Sequence, residues 1–200
     1  MPGPVCIVHH RLRDMSKRVC PWWLGYFLAS RLRRWLENPQ EVLEPYVRES
    51  MVVLEPGPGM GFFTGELAQQ VGPTGRVIAV DVQSKMLQGL RRRLRKAGLA
   101  QRVDVRLATS ESLGLTDVAA QVDFVLAYAV VHEMPSSSSF FEQASAACKA
   151  GARLLLVEPK GHVSREEFEG ELRDAAGAGF RLVDRPKTGR GHTALLEKTQ

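Results

Sequence analysis

MVVLEPGPGMGFFTGEL, residues 51–67, is the stretch from which the architecture follows. Its apolar run, Met51 to Leu54, reads as a buried strand that leads into an acid, Glu55. Glycines then stand at alternate positions, Gly57, Gly59 and Gly61, ahead of a helix-like continuation. Glycine tolerates positive φ and lets a ligand touch the backbone, so the segment reads as a strand–turn–helix that holds a small molecule. Two details narrow the ligand. A dinucleotide-binding turn wants a small residue three positions after its second glycine, where this chain has Phe62. Glu55 places negative charge beside the turn, which a pyrophosphate would resist and a cation would favour. Pro56 and Pro58 fix φ and lower the entropy cost of ordering the turn.

Downstream the pattern alternates strand and helix, the mark of a parallel sheet covered on both faces. Strands are expected at 76–81, 103–107, 122–127 and 152–157, with a closing antiparallel hairpin of 180–184 and 192–197 about the turn 188–191. Ser84 is expected to cap a helix that stops at Gly98, and the serines at 136–139 to start one running to about Lys149, with Cys148 in its core. Ser164 and Glu167 form a capping box for a helix carrying Phe168, Leu172 and Ala176 inward. Upstream, Asn38 caps a short helix from Pro39 to Val47. Residues 1–39 read as a helical extension, and residues 40–200 as the ligand-binding domain.

A chain of 200 residues can bury a full core in one α/β domain. Its three cysteines, Cys6, Cys20 and Cys148, are odd in number and irregular in spacing, which argues against a disulfide framework or a structural zinc site and points to the cytoplasm. No metal is expected, because the adjacent His9 and His10 lack a third ligand. The net charge of +5 raises nucleic acid or an anionic membrane as partners. The basic residues, however, cluster as Arg31, Arg33, Arg34 and as Arg91, Arg92, Arg93, Arg95, Lys96, on helices whose other face is apolar. Such helices must put charge somewhere, so a solvated face is the plainer reading and nucleic acid is disfavoured.

Asp81 follows Gly61 by 20 residues and ends the second expected strand. A carboxylate there can accept both hydroxyls of a ribose, a device that nicotinamide-binding folds share. The spacing E-x-G-x-G-x-G over Glu55–Gly61, with Asp81 beyond it, resembles the class I S-adenosylmethionine-dependent methyltransferases, whose ligand carries an ammonium and a sulfonium. The similarity spans about residues 40–197, and its nearest flavour is the small-molecule branch typified by ubiquinone and menaquinone methyltransferases. It implies a Rossmann-like seven-stranded sheet of order 3-2-1-4-5-7-6, with the last strand antiparallel and helices on both faces. It also implies S-adenosylmethionine as cofactor and S-adenosylhomocysteine as product. By the same resemblance, Glu55, Gly57, Gly59 and Ala127 lie at the methionine end, Pro58 and Gly61 also belong to the cofactor site, and Val82 or Met86 packs against adenine. Ser110, Glu111 and Ser112 occupy the place where many relatives have Gly-Asp-Ala, whose acid accepts the adenine amine.

Methyl transfer is an in-line displacement in which alignment and desolvation can supply roughly 7–11 kcal/mol, so a general base is optional. Candidates follow the fourth strand: His132 could accept a proton, Glu133 could orient it, and Tyr128 could line the methyl path. Glu158, after the fifth strand, points toward the same edge. Trp22, Trp23 and Tyr26 are candidates for a lid over an apolar or aromatic acceptor. The same segment also reads as core packing, as a dimer contact, or as a membrane-surface helix with Arg31, Arg33 and Arg34 at headgroups. The reading that results is a monomer or homodimer methylating a small molecule. Alternatives are an RNA or protein methyltransferase, a thiol or metalloid methyltransferase using the cysteines, and a cofactor-binding module without chemistry. No Asn/Asp-Pro-Pro-aromatic motif for planar amines stands at Tyr128–Val131.

Overall fold

Apolar residues at successive positions of the central strands bury both faces of a single sheet. The computed structural model describes residues 38–187 and 191–199. Seven strands, β1 (Val52–Pro56), β2 (Arg76–Asp81), β3 (Val103–Leu107), β4 (Val122–Tyr128), β5 (Cys148–Pro159), β6 (Phe180–Asp184) and β7 (Gly191–Lys198), lie in the order β3-β2-β1-β4-β5-β7-β6. The first five run parallel; β7 is antiparallel to both β5 and β6. This is the order and polarity that the family resemblance implies.

Period-2 alternation sorts the strand residues between two cores. Val53, Val77, Phe124, Leu126 and Leu155 face α1 (Pro39–Leu43), α2 (Thr64–Gln70) and α3 (Ser84–Ala97), meeting Leu43, Leu67, Leu87 and Leu90. Leu54, Ile78, Val125, Leu154 and Leu156 face the opposite way. There they meet Phe140 and Phe141 of α4 (Ser137–Ala147) and Phe168 of α5 (Arg165–Gly177). The chain winds outward from β1 to β3, then returns to lay β4 on the other side of β1. The carboxyl ends of β1 and β4 therefore flank a topological switch point, where open α/β sheets bind ligands.

Local signals set most element ends. Asn38 accepts the Gln40 N–H at 3.1 Å, and Gly98 stops α3 in a left-handed conformation. The capping box of α5 is complete, with Glu167 N–H to Ser164 at 3.2 Å and Ser164 N–H to Glu167 at 2.9 Å. Several expectations are corrected. Ser84 is the first residue of α3, and its N-cap is Gln83. The inward stripe of α5 runs through Phe168, Glu171 and Ala175, spaced i, i+3, i+7, which leaves Ala176 in solvent and Leu172 half-buried. Cys148 opens β5 directly from α4, so its buried thiol belongs to the sheet, and burial pushes it up to about 12. Tyr128 extends β4 by one residue.

Trp22, Trp23, Tyr26, His9, His10, Cys6, Cys20 and the Arg31–Arg34 cluster lie outside the described residues. In the second basic cluster, Arg91, Arg92, Arg95 and Lys96 are exposed on α3, and Arg91 donates to the Val105 carbonyl at 2.8 Å. No helix among the described residues is long and apolar enough to cross a membrane.

Candidate active site

Glu55 is the penultimate residue of β1, and the sheet holds it only 3% exposed. Its Oε2 has no hydrogen-bond partner, and neither has the buried Thr64 Oγ1 at the start of α2. Burial pushes the Glu55 carboxyl up to about 7, opposed by the adjacent Thr64 hydroxyl, which lies beside it without the geometry of a full hydrogen bond, and the charge of Asp81 adds to the rise. An unsatisfied buried carboxyl is costly, which makes it a marker for a ligand of opposite charge. A small cleft of about 50 Å³ opens here, lined among others by Glu55, Gly57, Pro58, Phe62, Phe63 and Tyr128.

The turn above the cleft depends on its glycines in two different ways. Gly57 has φ +66°, and a Cβ there would stand 2.5 Å from Val130 Cγ2. Gly59 has φ +55°, but a Cβ there would meet nothing within 4 Å, so its half-buried backbone borders open space. The Gly57 N–H donates to the Val80 carbonyl at 2.8 Å and the Gly61 N–H to Pro58 at 2.9 Å, which ties the turn to β2.

Asp81 ends β2 one strand away from the turn. Its Oδ1 accepts the Gln83 N–H at 2.8 Å. Burial raises its pKa, opposed by the backbone amides of Gln83, Gly59 and Val82. Beside it stand two bare apolar side chains, Val82 at 46% exposure and Leu107 at 61%, Leu107 being the cross-strand partner of Asp81. Met86 is buried and shows no such surface. Ser110, Glu111 and Ser112 are exposed in the loop after β3. That loop is held by the Ser112 N–H to Thr109 Oγ1 at 3.0 Å and by Gln143 to the Glu111 carbonyl at 3.1 Å.

Across the cleft, the Tyr128 ring lies 4.6 Å from that of Phe63. Ala127 is fully buried in the core beneath. Ala129 adopts φ +53°, a left-handed conformation that costs a non-glycine residue roughly 1–2 kcal/mol. Its N–H donates to the Val157 carbonyl at 2.7 Å. The chain then enters a short turn, Val131–Glu133. Glu158, expected to face the substrate, is instead 0% exposed at the end of β5. Its Oε1 accepts the N–H groups of Val131 at 2.8 Å and Val130 at 3.3 Å, while its Oε2 bonds His132 Nδ1. Glu158 is thus the residue that orients His132, the part expected of Glu133. Burial lowers the His132 pKa, but the bonded and charged Glu158 reverses this and leaves it raised, with Glu133 and Glu171 adding. His132 is not among the cleft-lining residues; its ring stands 5.8 Å from that of His162.

A methyltransferase-domain family profile matches residues 48–191. The chain belongs to the class I S-adenosylmethionine-dependent methyltransferase family. It is 30% identical over 112 residues to the ubiquinone/menaquinone biosynthesis C-methyltransferase UbiE of Pasteurella multocida (strain Pm70), a match covering 56% of this chain and 41% of that protein. The chain therefore spans less than half the length of the curated relatives it matches. A S-adenosylmethionine-dependent methyltransferase structure from Aquifex aeolicus superposes with a TM-score of 0.78 at 26% identity, covering 90% of this chain and 98% of that one. The [4+2]-cyclase SpnF superposes at 0.66 with 15% identity, over 80% of this chain and 79% of that one, a likeness of fold alone.

The residues of this methyltransferase fold suit the family's cofactor. An orphaned buried carboxylate, an unfilled space over Gly59 and a second carboxylate at a strand end match a cation carrying a diol. Phe63, Leu107, Thr64, His162 and Glu171 were not singled out by sequence reasoning. Leu107 carried one signal, an apolar residue at the last position of a strand ahead of a polar loop. Glu171 carried none, since a glutamate on an amphipathic helix reads as surface.

Proposed function

We propose that this chain transfers a methyl group from S-adenosylmethionine to a small-molecule acceptor with an apolar or aromatic body. The observation that carries the reading is the pairing of Glu55, buried without a partner for Oε2, with Asp81 at the neighbouring strand end. Glu55 and the backbone of Gly57–Gly59 would receive the cationic methionine end, and Asp81 the ribose. Val82 and Leu107 would flank the adenine, with Glu111 above it. When bound, the cofactor supplies an electrophilic methyl on a sulfonium.

The remaining work falls to side chains of this protein. Phe62, Phe63 and Tyr128 present an aromatic wall that excludes water and orients a flat acceptor. His132, with Nδ1 engaged by Glu158, keeps Nε2 as the nitrogen available to take a proton. The curated relatives are named for C-methylation in quinone biosynthesis, which favours an acceptor of that aromatic character. The test is calorimetry with S-adenosylhomocysteine on the wild type and Asp81→Ala. A loss of about 1.5–3 kcal/mol is expected, the scale of a charge-assisted hydrogen bond. Equal affinities would remove Asp81 from the site, and no binding by the wild type would end the reading.

A further inference from the structure

Two halves of the site meet at one buried residue. Glu158 lies wholly inside the protein beneath the segment that follows β4. One carboxylate oxygen takes the N–H groups of Val130 and Val131; the other holds His132. Val130 in turn reaches the cofactor turn, since its Cγ2 occupies the place a side chain on Gly57 would need. Between them stands Ala129, held at positive φ with its N–H on Val157. An unbroken line of contacts therefore runs from His132 through Glu158 to Val130 and Gly57.

We propose that Glu158 is a positioning residue that couples His132 to the glycine turn, fixing the imidazole and the cofactor loop from one buried carboxylate. This rests on the cofactor reading above. The coupling has a chemical side and a mechanical side. Chemically, the carboxylate can only accept, so His132 must present Nδ1–H to it and leave Nε2 unprotonated when the ring is neutral. Mechanically, the same carboxylate anchors the backbone of Val130, whose side chain packs down on Gly57. The charged surroundings are the other half of the pair. Glu171, on α5, is 8% exposed with Oε2 unpartnered, and it feels Glu158, His132, Asp174 and Glu167. His162 lies against the His132 ring, Glu133 adds its charge to it, and His192 is the cross-strand partner of Glu158.

Two substitutions separate the two sides. Glu158→Gln keeps an oxygen for the Val130 and Val131 amides but turns an NH₂ toward Nδ1. The neutral His132 ring should then carry its proton on Nε2, and its pKa should fall. Histidine ¹⁵N spectra across a pH titration read both changes without any ligand. Glu158→Leu removes the anchor altogether. Exchange of the Gly57 amide, bonded to Val80, should then quicken about tenfold or more in the unliganded protein. Val130→Ala should quicken it similarly, and the double variant should add little, since both changes cut one line of contact. Purely additive effects, or a Gly57 amide indifferent to Glu158→Leu, would overturn the proposal. So would a His132 tautomer and pKa in Glu158→Gln equal to wild type, which decides the matter should Glu158→Leu fail to fold. Neither readout needs the cofactor. A wild type blind to S-adenosylhomocysteine would overturn the proposed function while these measurements still judge the coupling.

Discussion

Glu55→Gln should make the unliganded protein more stable at alkaline pH while weakening its hold on the cofactor. The carboxyl is 3% exposed, and burial moves it from an ordinary 4.5 up to about 7. At roughly 1.4 kcal/mol per tenfold in proton affinity, that rise corresponds to about 3 kcal/mol. The sign follows from its direction. A carboxyl raised in the fold is favoured there in its protonated form, so its stabilising contribution is complete below about pH 4.5 and lost as pH rises through about 7. Glutamine keeps the neutral state throughout. Urea unfolding at pH 5 should therefore give nearly equal stabilities for the two proteins, and at pH 8.5 the variant should lead by up to about 3 kcal/mol.

Ligand binding must show the opposite preference. A cation beside Glu55 favours the carboxylate, so binding of S-adenosylmethionine near pH 6 should release close to one proton. Calorimetry in two buffers of different ionisation enthalpy measures that release, and Glu55→Gln should abolish it. A stability difference that stays flat from pH 5 to 8.5 would refute the argument, because it would mean that the buried carboxyl is not titrating against its own desolvation.

Other outcomes are expected from the same geometry. Gly59→Ala should cost only about 1–2 kcal/mol of stability, from positive φ alone, yet weaken S-adenosylhomocysteine binding by about tenfold or more, because its methyl enters the open space over the turn. Gly57→Ala adds a collision with Val130 to the same backbone cost and should lose about 3 kcal/mol or more, read by thermal or urea unfolding. Ser164→Ala, at the α5 cap far from the glycine turn in the chain, should lose about 1 kcal/mol and leave ligand affinity unchanged. Glu171, pushed up to about 8, and His132, held above its ordinary value, each favour the protonated form in the fold. Wild-type stability should therefore fall as pH rises from 5 to 9, and Glu171→Gln should flatten that slope in pH-resolved unfolding.

The sheet was legible because its signals are local and repeated. The run Val52–Leu54 is apolar on both faces, as only a strand sandwiched between helices needs to be, and Gly98 and Ser164 punctuate the helices by backbone chemistry that does not depend on tertiary context. The placement of Glu55, the glycines and Asp81 was legible for a related reason: they sit at or just after strand ends, where position in the chain nearly dictates position in space. The surroundings of Glu158 were not. Whether Glu158 faces a substrate or the interior depends on how the turn 129–133 folds back over β5, and that turns on Ala129 adopting a conformation that its side chain disfavours. Met86 is buried and Leu107 exposed because burial at the edge of a helix or strand depends on the neighbouring element rather than on local pattern.

The unsatisfied and strained features of this chain include several gathered at one mouth of the sheet. Among the described residues, Glu55 carries a buried oxygen without a partner and lines the cleft, while Thr64, with its own unpartnered hydroxyl, and Ala129, at positive φ, directly follow the lining residues Phe63 and Tyr128. Elsewhere the strongest ionic contacts are made good, as where Arg106 bonds both Asp104 and Asp117. Glu171 Oε2 and Gln70 Oε1 are also buried without partners, but Glu55 alone of the two carboxyls stands at the switch point, where a positively charged ligand would complete it. Fold alone would be a poor guide to chemistry, since the same sheet also carries a cyclase. The discriminating feature is the sign of that missing partner. A pyrophosphate would meet repulsion from Glu55 and Asp81 together, whereas a sulfonium nucleoside would bring charge to the first and hydroxyls to the second, so the two ligand classes are separated by the electrostatics of the turn itself.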